Sequence, residues 1–298
     1  MTGRPPIHIV PLLVALLAVD SLHFIFARLL LPHIAPQTSA LFVLTIAAVE
    51  IGAFGLITRQ LHLNILRRRL GFFLAVGLLV SLSTTINYEA VAFVDPGTAT
   101  LLAQTGTLWA LGLGIFWLRE RLSPKQLGGA GLAVVGLFVM TYQAGDYLRV
   151  GSLLVLTSAF LYALHAAVAK RGSDIDFLDF FFFRVLMTTL FLLVFTGVRG
   201  RLDWPSAAAW PFLILAGTTD VVISRALYYM ALRRMPLSLH TIALTLSPIA
   251  TILWALALFD TLPGPRQLVG GLLVLAGVGV IGLLRTSGQS SAPIRKSE

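Results

Sequence analysis

The stretch YEAVAFVDP at residues 88–96 returns, with the same Tyr and Pro endpoints, as YYMALRRMP at 228–236. Carried onward, the shift of 140 matches Thr105 with Thr245, Ala110 with Ala250, Leu118 with Leu258 and Glu120 with Asp260. One inserted residue later it pairs Pro124-Lys125-Gln126-Leu127 with Pro265-Arg266-Gln267-Leu268, Gly129 with Gly270 and Gly136 with Gly277. Near the start of each half, His23 matches His165 and Arg28 matches Lys170. The chain therefore divides into two copies of one unit, 1–148 and 149–286. A polar tail at 287–298 is expected to be disordered and cytoplasmic.

Each copy is made for lipid. Of 298 residues, 57% are hydrophobic and 12% charged, where a soluble domain carries about 25% charge. There is no cysteine, which excludes disulfides and thiolate metal sites. A net charge of +9 would suggest nucleic acid in a soluble protein. Here the charges sit in short loops between apolar runs, which is the pattern of membrane orientation and gives no nucleic-acid partner. The first apolar run, about 7–31, is too long for a signal peptide and lacks a small-residue cleavage site after it, so it reads as a retained helix.

A helix needs about 20 apolar residues to cross the hydrocarbon core. Ten stretches qualify: 7–31, 38–58, 70–93, 96–118, 124–143, 149–170, 177–198, 207–232, 236–259 and 265–285. Asp95-Pro96, Ser123-Pro124, Met235-Pro236 and Gly264-Pro265 each put proline at a first helical position, where its missing N–H is harmless. With the N-terminus in the cytoplasm, that side holds Arg4, the arginines of 59–69, Arg119, Arg121, Lys125, Lys170, Arg171, Arg233, Arg234, Arg285, Arg295 and Lys296. The far side holds Arg28, Arg149, Arg199, Arg201 and Arg266. That excess follows the positive-inside rule and places both termini in the cytoplasm. The expected fold is an all-α membrane protein of ten transmembrane helices in two five-helix repeats. Five is odd, so the second repeat is inverted, which is a transporter architecture with its site near the midplane.

Two longer stretches carry a family resemblance: GTATLLAQTGTLWALGLGIFWLRERLSPKQLGGAGLAVVGLFVM (97–140) and LSLHTIALTLSPIATILWALALFDTLPGPRQLVGGLLVLAGVGVIGL (237–283). Each runs helix, acidic residue, Leu two positions on, turn, Gln-Leu, then a glycine-bearing helix. With LYALHAAVAKR (161–171), they resemble the EamA-type transporters of the drug/metabolite transporter superfamily. The resemblance implies a ten-helix carrier whose central cavity is lined mainly by helices 1, 3, 4, 6, 8 and 9. It also implies export of metabolites such as amino acids, or of other small polar solutes. Two positions depart from the family pattern. Val19-Asp20-Ser21 stands where a Trp-Gly-Ser-like stretch is usual. The arginine usual in helix 2 is absent, while Arg184 holds that sort of place in helix 7.

Ionisable groups in hydrocarbon are costly and mark pathways or pairs. The in-span set is Asp20, Glu50, Arg184, Asp220 and Arg225, with His23, His165 and His240. Asp20 and His23, three apart, share a helix face and form a candidate proton or cation site. The alternative is a locally paired or protonated aspartate that pins helix packing. His165, with Tyr162 at the position matching Asp20, puts a second imidazole at the pseudo-symmetric place. Asp220, Ser224 and Tyr228 make one polar stripe, and Arg225 lies on the adjacent one. Asp20 and Arg225 could hold the ammonium and carboxylate of a zwitterion, or pair with each other; Glu50 and Arg184 could likewise pair. Asn87, Tyr88 and Trp109 offer hydrogen bonds and an aromatic wall, with Thr84, Gln104 and Thr105 nearby. Pro248 is expected to kink helix 9. The glycines of GLG (112–114) and GGAG (128–131) read as close-packing positions.

These features predict a secondary carrier that exports small polar metabolites by alternating access, with membrane lipid as its solvent and protons as coupling ion. Its expected location is a bacterial inner membrane. There is no phosphate-binding Gly-x-x-x-x-Gly-Lys loop and no His-Glu-x-x-His pattern, so no catalytic residues, metal or cofactor are assigned. An intramembrane lipid-modifying enzyme and a lipid-carrier flippase stand as alternatives.

Overall fold

The structure is a computed structural model that describes residues 9–117, 123–141, 146–170, 174–200, 202–234 and 244–289. Every regular element among them is helical. The helices are α1 (Ile9–Asp20), α2 (His23–Leu30), α3 (Pro36–Ile57), α4 (Asn64–Arg68), α5 (Leu70–Ala90), α6 (Pro96–Ala103) and α7 (Gly106–Phe116). They continue with α8 (Pro124–Thr141), α9 (Asp146–Ala169), α10 (Phe177–Val198), α11 (Trp210–Ala216), α12 (Ser224–Arg234), α13 (Ser247–Phe259) and α14 (Pro265–Gln289). Seven helical stretches are long and apolar enough to cross a membrane, the first being Val10–Leu30 and the last Trp210–Ala231. Pro124–Met140, Ser247–Phe259 and Pro265–Ile281 are shorter apolar helices. Helix α14 runs to Gln289, past the expected start of the tail at 287, and 290–298 lie outside the described residues.

Local chemistry sets the helix starts. Asp95 caps α6 by accepting the Thr98 N–H at 2.8 Å, with Pro96 behind it. Ser123 and Gln126 form a reciprocal capping box before α8, at 2.9 and 3.3 Å. Asp260 closes α13 in the left-handed conformation, φ 52°; Glu120, its sequence match, lies outside the described residues. At one end of the bundle, His62 gives its backbone N–H to the fully buried Asp179 and meets the same carboxylate through Nδ1, both within 2.9 Å. That clasp fastens the loop after α3 to the start of α10.

Helix crossings repeat between the halves. A Cβ on Gly129 would stand 2.9 Å from the Gly277 carbonyl oxygen, and one on Gly136 would stand 2.5 Å from that of Gly270. Gly129 and Gly270 are sequence matches, as are Gly136 and Gly277, so the α8–α14 crossing exchanges into itself. A second pair behaves alike. Gly77 of α5 lies against Met187 of α10, and Gly217, 140 residues on, lies against Val43 and Ile46 of α3. Of the glycines expected to pack, Gly129 does so. Gly112, Gly128 and Gly131 have nothing within 4 Å of an added Cβ, so no described neighbour depends on their being glycine.

Two spans are interrupted among the described residues, the first at Ser21–Leu22 and the fourth at Gln104–Thr105, and a matching turn occupies Thr245–Leu246 ahead of α13. Pro248 therefore sits in the first turn of a new helix and does not kink a continuous one; residues 235–243 before it lie outside the description. Between α11 and α12, Gly217–Ile223 forms a π turn in which the Ser224 N–H reaches back five residues to Thr219 O. Such irregular backbone at membrane depth must be satisfied by protein groups. At the first break, Trp254 of α13 donates to Ala18 O at 3.0 Å and Thr251 donates to Ser21 O at 2.9 Å. Thr251→Val keeps the shape but leaves Ser21 O without that donor. We expect it to cost about 1–3 kcal/mol, read as a lower melting temperature of the purified protein; an unchanged melting temperature would show that the break does not depend on this bond.

Candidate functional site

The first two interruptions and the π turn border a cavity of about 380 Å³ walled by both halves. Its volume falls within the about 300–1,000 Å³ typical of small-molecule sites. Asp20 and His23 reach it from the two sides of the first break, because the chain turns between them at Ser21–Leu22. Ser83, Thr84, Asn87 and Tyr88 come from α5, Thr100 from α6, Gln104 from the break between α6 and α7, and Ser158 and Tyr162 from α9. Arg184 and Thr188 come from α10, Asp220 from the π turn and Arg225 from α12. Phe24, Val43, Leu44, Val80, Phe181, Val185 and Val221 supply an apolar wall.

The charges inside are organised as cross-helix pairs. Arg225 donates to Asp20 at 2.9 Å, and Ser224 adds a second donor to the same oxygen at 3.0 Å. His23 Nδ1 lies 2.9 Å from the Asp220 carboxylate. Asp20 and His23 thus pair across to the second half and not with each other, because the break at Ser21–Leu22 removes the regular spacing that would stack them. The π turn does the complementary work. By adding a residue to the turn it lets Asp220 meet α2 while Ser224 and Arg225 meet the end of α1. The matching interface between α5 and α9 is uncharged: Ser83 and Ser158 bond each other hydroxyl to hydroxyl at 2.8 Å.

Seven of the residues singled out from sequence line the cavity together: Asp20, His23, Asn87, Tyr88, Tyr162, Asp220 and Arg225. Three do not. Trp109 lies edge-on to Phe160 at 5.3 Å and is 42% exposed. His165 is buried behind Tyr162, ring centroids 5.1 Å apart, with neither ring nitrogen hydrogen-bonded. Tyr228 stands under the Arg225 guanidinium at 5.3 Å, outside the lining. Among the described residues, spans 2 and 7 also contribute to the lining, beyond the implied set of helices, and α13 props the first break; residues 235–243, the start of span 9, lie outside the described residues. A Glu50–Arg184 pair does not form: Glu50 accepts from Thr218 at 2.6 Å on the far flank of α3. Arg184, for which that pair was one alternative, lines the cavity instead, and an arginine in mid-span was itself the signal that could have placed it there.

Comparison with known proteins agrees with this architecture. The family model described as the EamA-like transporter family matches twice, over residues 8–142 and 149–283. The "Probable terminal-alkyne amino-acid exporter" of Streptantibioticus cattleyicolor is 28% identical over 211 residues, 68% of this chain and 70% of that protein. The riboflavin transporter ImpX of Fusobacterium nucleatum is 25% identical over 63% of this chain and 67% of its own length. A "Probable amino-acid metabolite efflux pump" of Salmonella typhimurium is 32% identical over 97 residues, 29% of this chain and 32% of that one. A solved crystal structure superposes with a TM-score of 0.66 at 18% identity, covering 93% of this chain and 98% of the other, which establishes likeness of fold. With both halves matched by the family model and with apolar helices long enough to span a bilayer, this chain is an integral membrane protein belonging to the EamA-like transporter family.

Proposed function

We propose that the protein is a secondary carrier exporting small polar metabolites of the amino-acid class from a bacterial cell, across the inner membrane. The observation that carries this reading is the cavity itself: both halves wall it, broken helices border it, and two charge pairs bridge the halves across it. The seven long and three shorter apolar helices support ten spans, and the reciprocal glycine crossings support two inverted five-helix repeats. With ten spans both termini lie on one side, and the arginine-rich loops make that side the cytoplasm. Two relatives named as an amino-acid exporter and an amino-acid metabolite efflux pump support the substrate class.

In this reading the halves rock about the site, exposing it to each side in turn. The two pairs join the first-half helices α1 and α2 to the second-half segment 217–225. Opening that seam separates acid from base, and a proton taken by a freed carboxylate can neutralise it during the change. Protons are then the coupling ion, and lipid is the surrounding solvent.

Purified protein in proteoliposomes is expected to move an apolar amino acid without changing it, faster under an imposed pH gradient. A chemically altered product would sink the carrier reading. Asp20→Asn keeps the hydrogen bonds to Ser224 and Arg225 but cannot carry a proton, so gradient-driven exchange should vanish while the folded protein persists. Retained gradient-driven exchange in that variant would remove Asp20 from coupling.

A further inference from the structure

Of the ionisable side chains lining the cavity, Asp20 and Arg225 satisfy each other, as do His23 and Asp220. Arg184 has no such partner. Among the described residues no carboxylate lies within ion-pair distance of it. Its contact with Tyr162 is a weak one, 3.5 Å from guanidinium to hydroxyl, with the ring 5.9 Å below. Its Nε is shut off from solvent with no acceptor at all. The group cannot escape by losing its proton, since guanidinium stays charged under any ordinary condition. An unpaired cation at membrane depth is costly and by default marks a pathway or a pair. A fold that otherwise pairs its charges across the cavity keeps this one open.

We propose that Arg184 is the specificity-determining residue of the cavity and binds the carboxylate of the solute, so that the site selects carboxylate-bearing solutes over amines. The inference rests on the carrier reading for its physiological meaning but not for its chemistry. Guanidinium and carboxylate match as a planar fork, two parallel N–H donors to two oxygens; with Nε shut off, the two terminal nitrogens of the Arg184 guanidinium are the pair that can form it. Asn87 of α5 lines the same cavity, but its Oδ1 is shut off from solvent as the Arg184 Nε is, so it is assigned no contact with the solute. The apolar wall of Phe24, Val80, Phe181 and Val185 suits an aliphatic or aromatic body. A single guanidinium in a cavity of about 380 Å³ fits a small carboxylate better than a phosphorylated solute or lipid headgroup, which calls for several donors.

The test uses purified full-length protein and matched sets of compounds. Each of alanine, valine, leucine, isoleucine, methionine and phenylalanine is compared with its decarboxylated amine and its deaminated acid, with inorganic phosphate alongside. Thermal stabilisation and equilibrium binding are read for the wild type, Arg184→Gln and Arg184→Lys. At least one amino acid should bind, its amine at least ten-fold more weakly. Arg184→Gln should weaken the amino acid at least ten-fold and leave the amine unchanged, and Arg184→Lys should recover part of the loss. The ligand-free melting temperature of Arg184→Gln should hold or rise, whereas a merely structural arginine would lower it. Binding of amines as tight as that of amino acids, unchanged affinity in Arg184→Gln, phosphate bound as well as any carboxylate, or no binding across the sets would each overturn the assignment. Carboxylate binding without flux in proteoliposomes would retain Arg184 and reject the carrier, and flux confined to amines would do the reverse.

Discussion

Asp20→Leu is expected to destabilise the protein by about 3 kcal/mol, and adding Arg225→Met is expected to restore most of that loss. The asymmetry of the two partners gives the sign. Without Asp20, Arg225 keeps its charge in mid-span and loses the ion-pair partner that stands 2.9 Å away. Without Arg225, Asp20 keeps its bond from Ser224, so Arg225→Met alone should cost less, about 2 kcal/mol. Both side chains remain partly open to the cavity, at 31% and 19% exposure, so the expected figures sit at or below the lower end of the range of about 3–5 kcal/mol for a fully buried pair. Denaturant unfolding of the two single variants and the double variant in one detergent completes the cycle. Additive losses would show that the pair contributes nothing to the fold. The double variant should fold and fail to transport.

Gly136→Leu and Gly270→Leu should each abolish the folded protein or lower its stability by about 3 kcal/mol or more, beyond ordinary overpacking. At Gly136 the first added carbon would stand 2.5 Å from the Gly270 carbonyl oxygen and 2.7 Å from the Val274 nitrogen. Those are backbone atoms of α14, so no rotamer change relieves the clash and the helices must separate. Gly131→Leu, one turn from the crossing, meets nothing within 4 Å and should leave expression and melting temperature unchanged. Equal behaviour of Gly131→Leu and Gly136→Leu in monodispersity after purification would mean that α8 and α14 do not cross here.

Much of this was legible in the residues. Hydrophobicity is a sum over a segment, so apolar runs announce helices in lipid without any knowledge of their neighbours. Proline and capping residues act on their own turn, so helix starts at Pro96, Pro124 and Pro265 are local facts. The repeat is legible because duplicated segments keep their spacing, and Gly129, Gly136, Gly270 and Gly277 proved to be crossing points related by that spacing. Asp20, His23, Asp220 and Arg225 were conspicuous because charge in hydrocarbon needs a reason.

What the sequence by itself determined, then, is a duplicated helical membrane protein with costly charges in defined spans. Only the tertiary structure decided how those charges are shared. Ideal helix spacing put Asp20 beside His23 and kept Asp220 and Arg225 on separate stripes. The break at Ser21–Leu22 and the π turn at Gly217–Ile223 change the phase of both helices, and partners then form across the seam between the halves. A break of this kind depends on donors from a distant helix, Thr251 and Trp254, and no local pattern near Asp20 encodes them. The place of Arg184 was open in the sequence for the same reason. Which acid an arginine meets depends on helix rotation, and the rotation of α3 gives Glu50 to Thr218, leaving Arg184 facing the cavity.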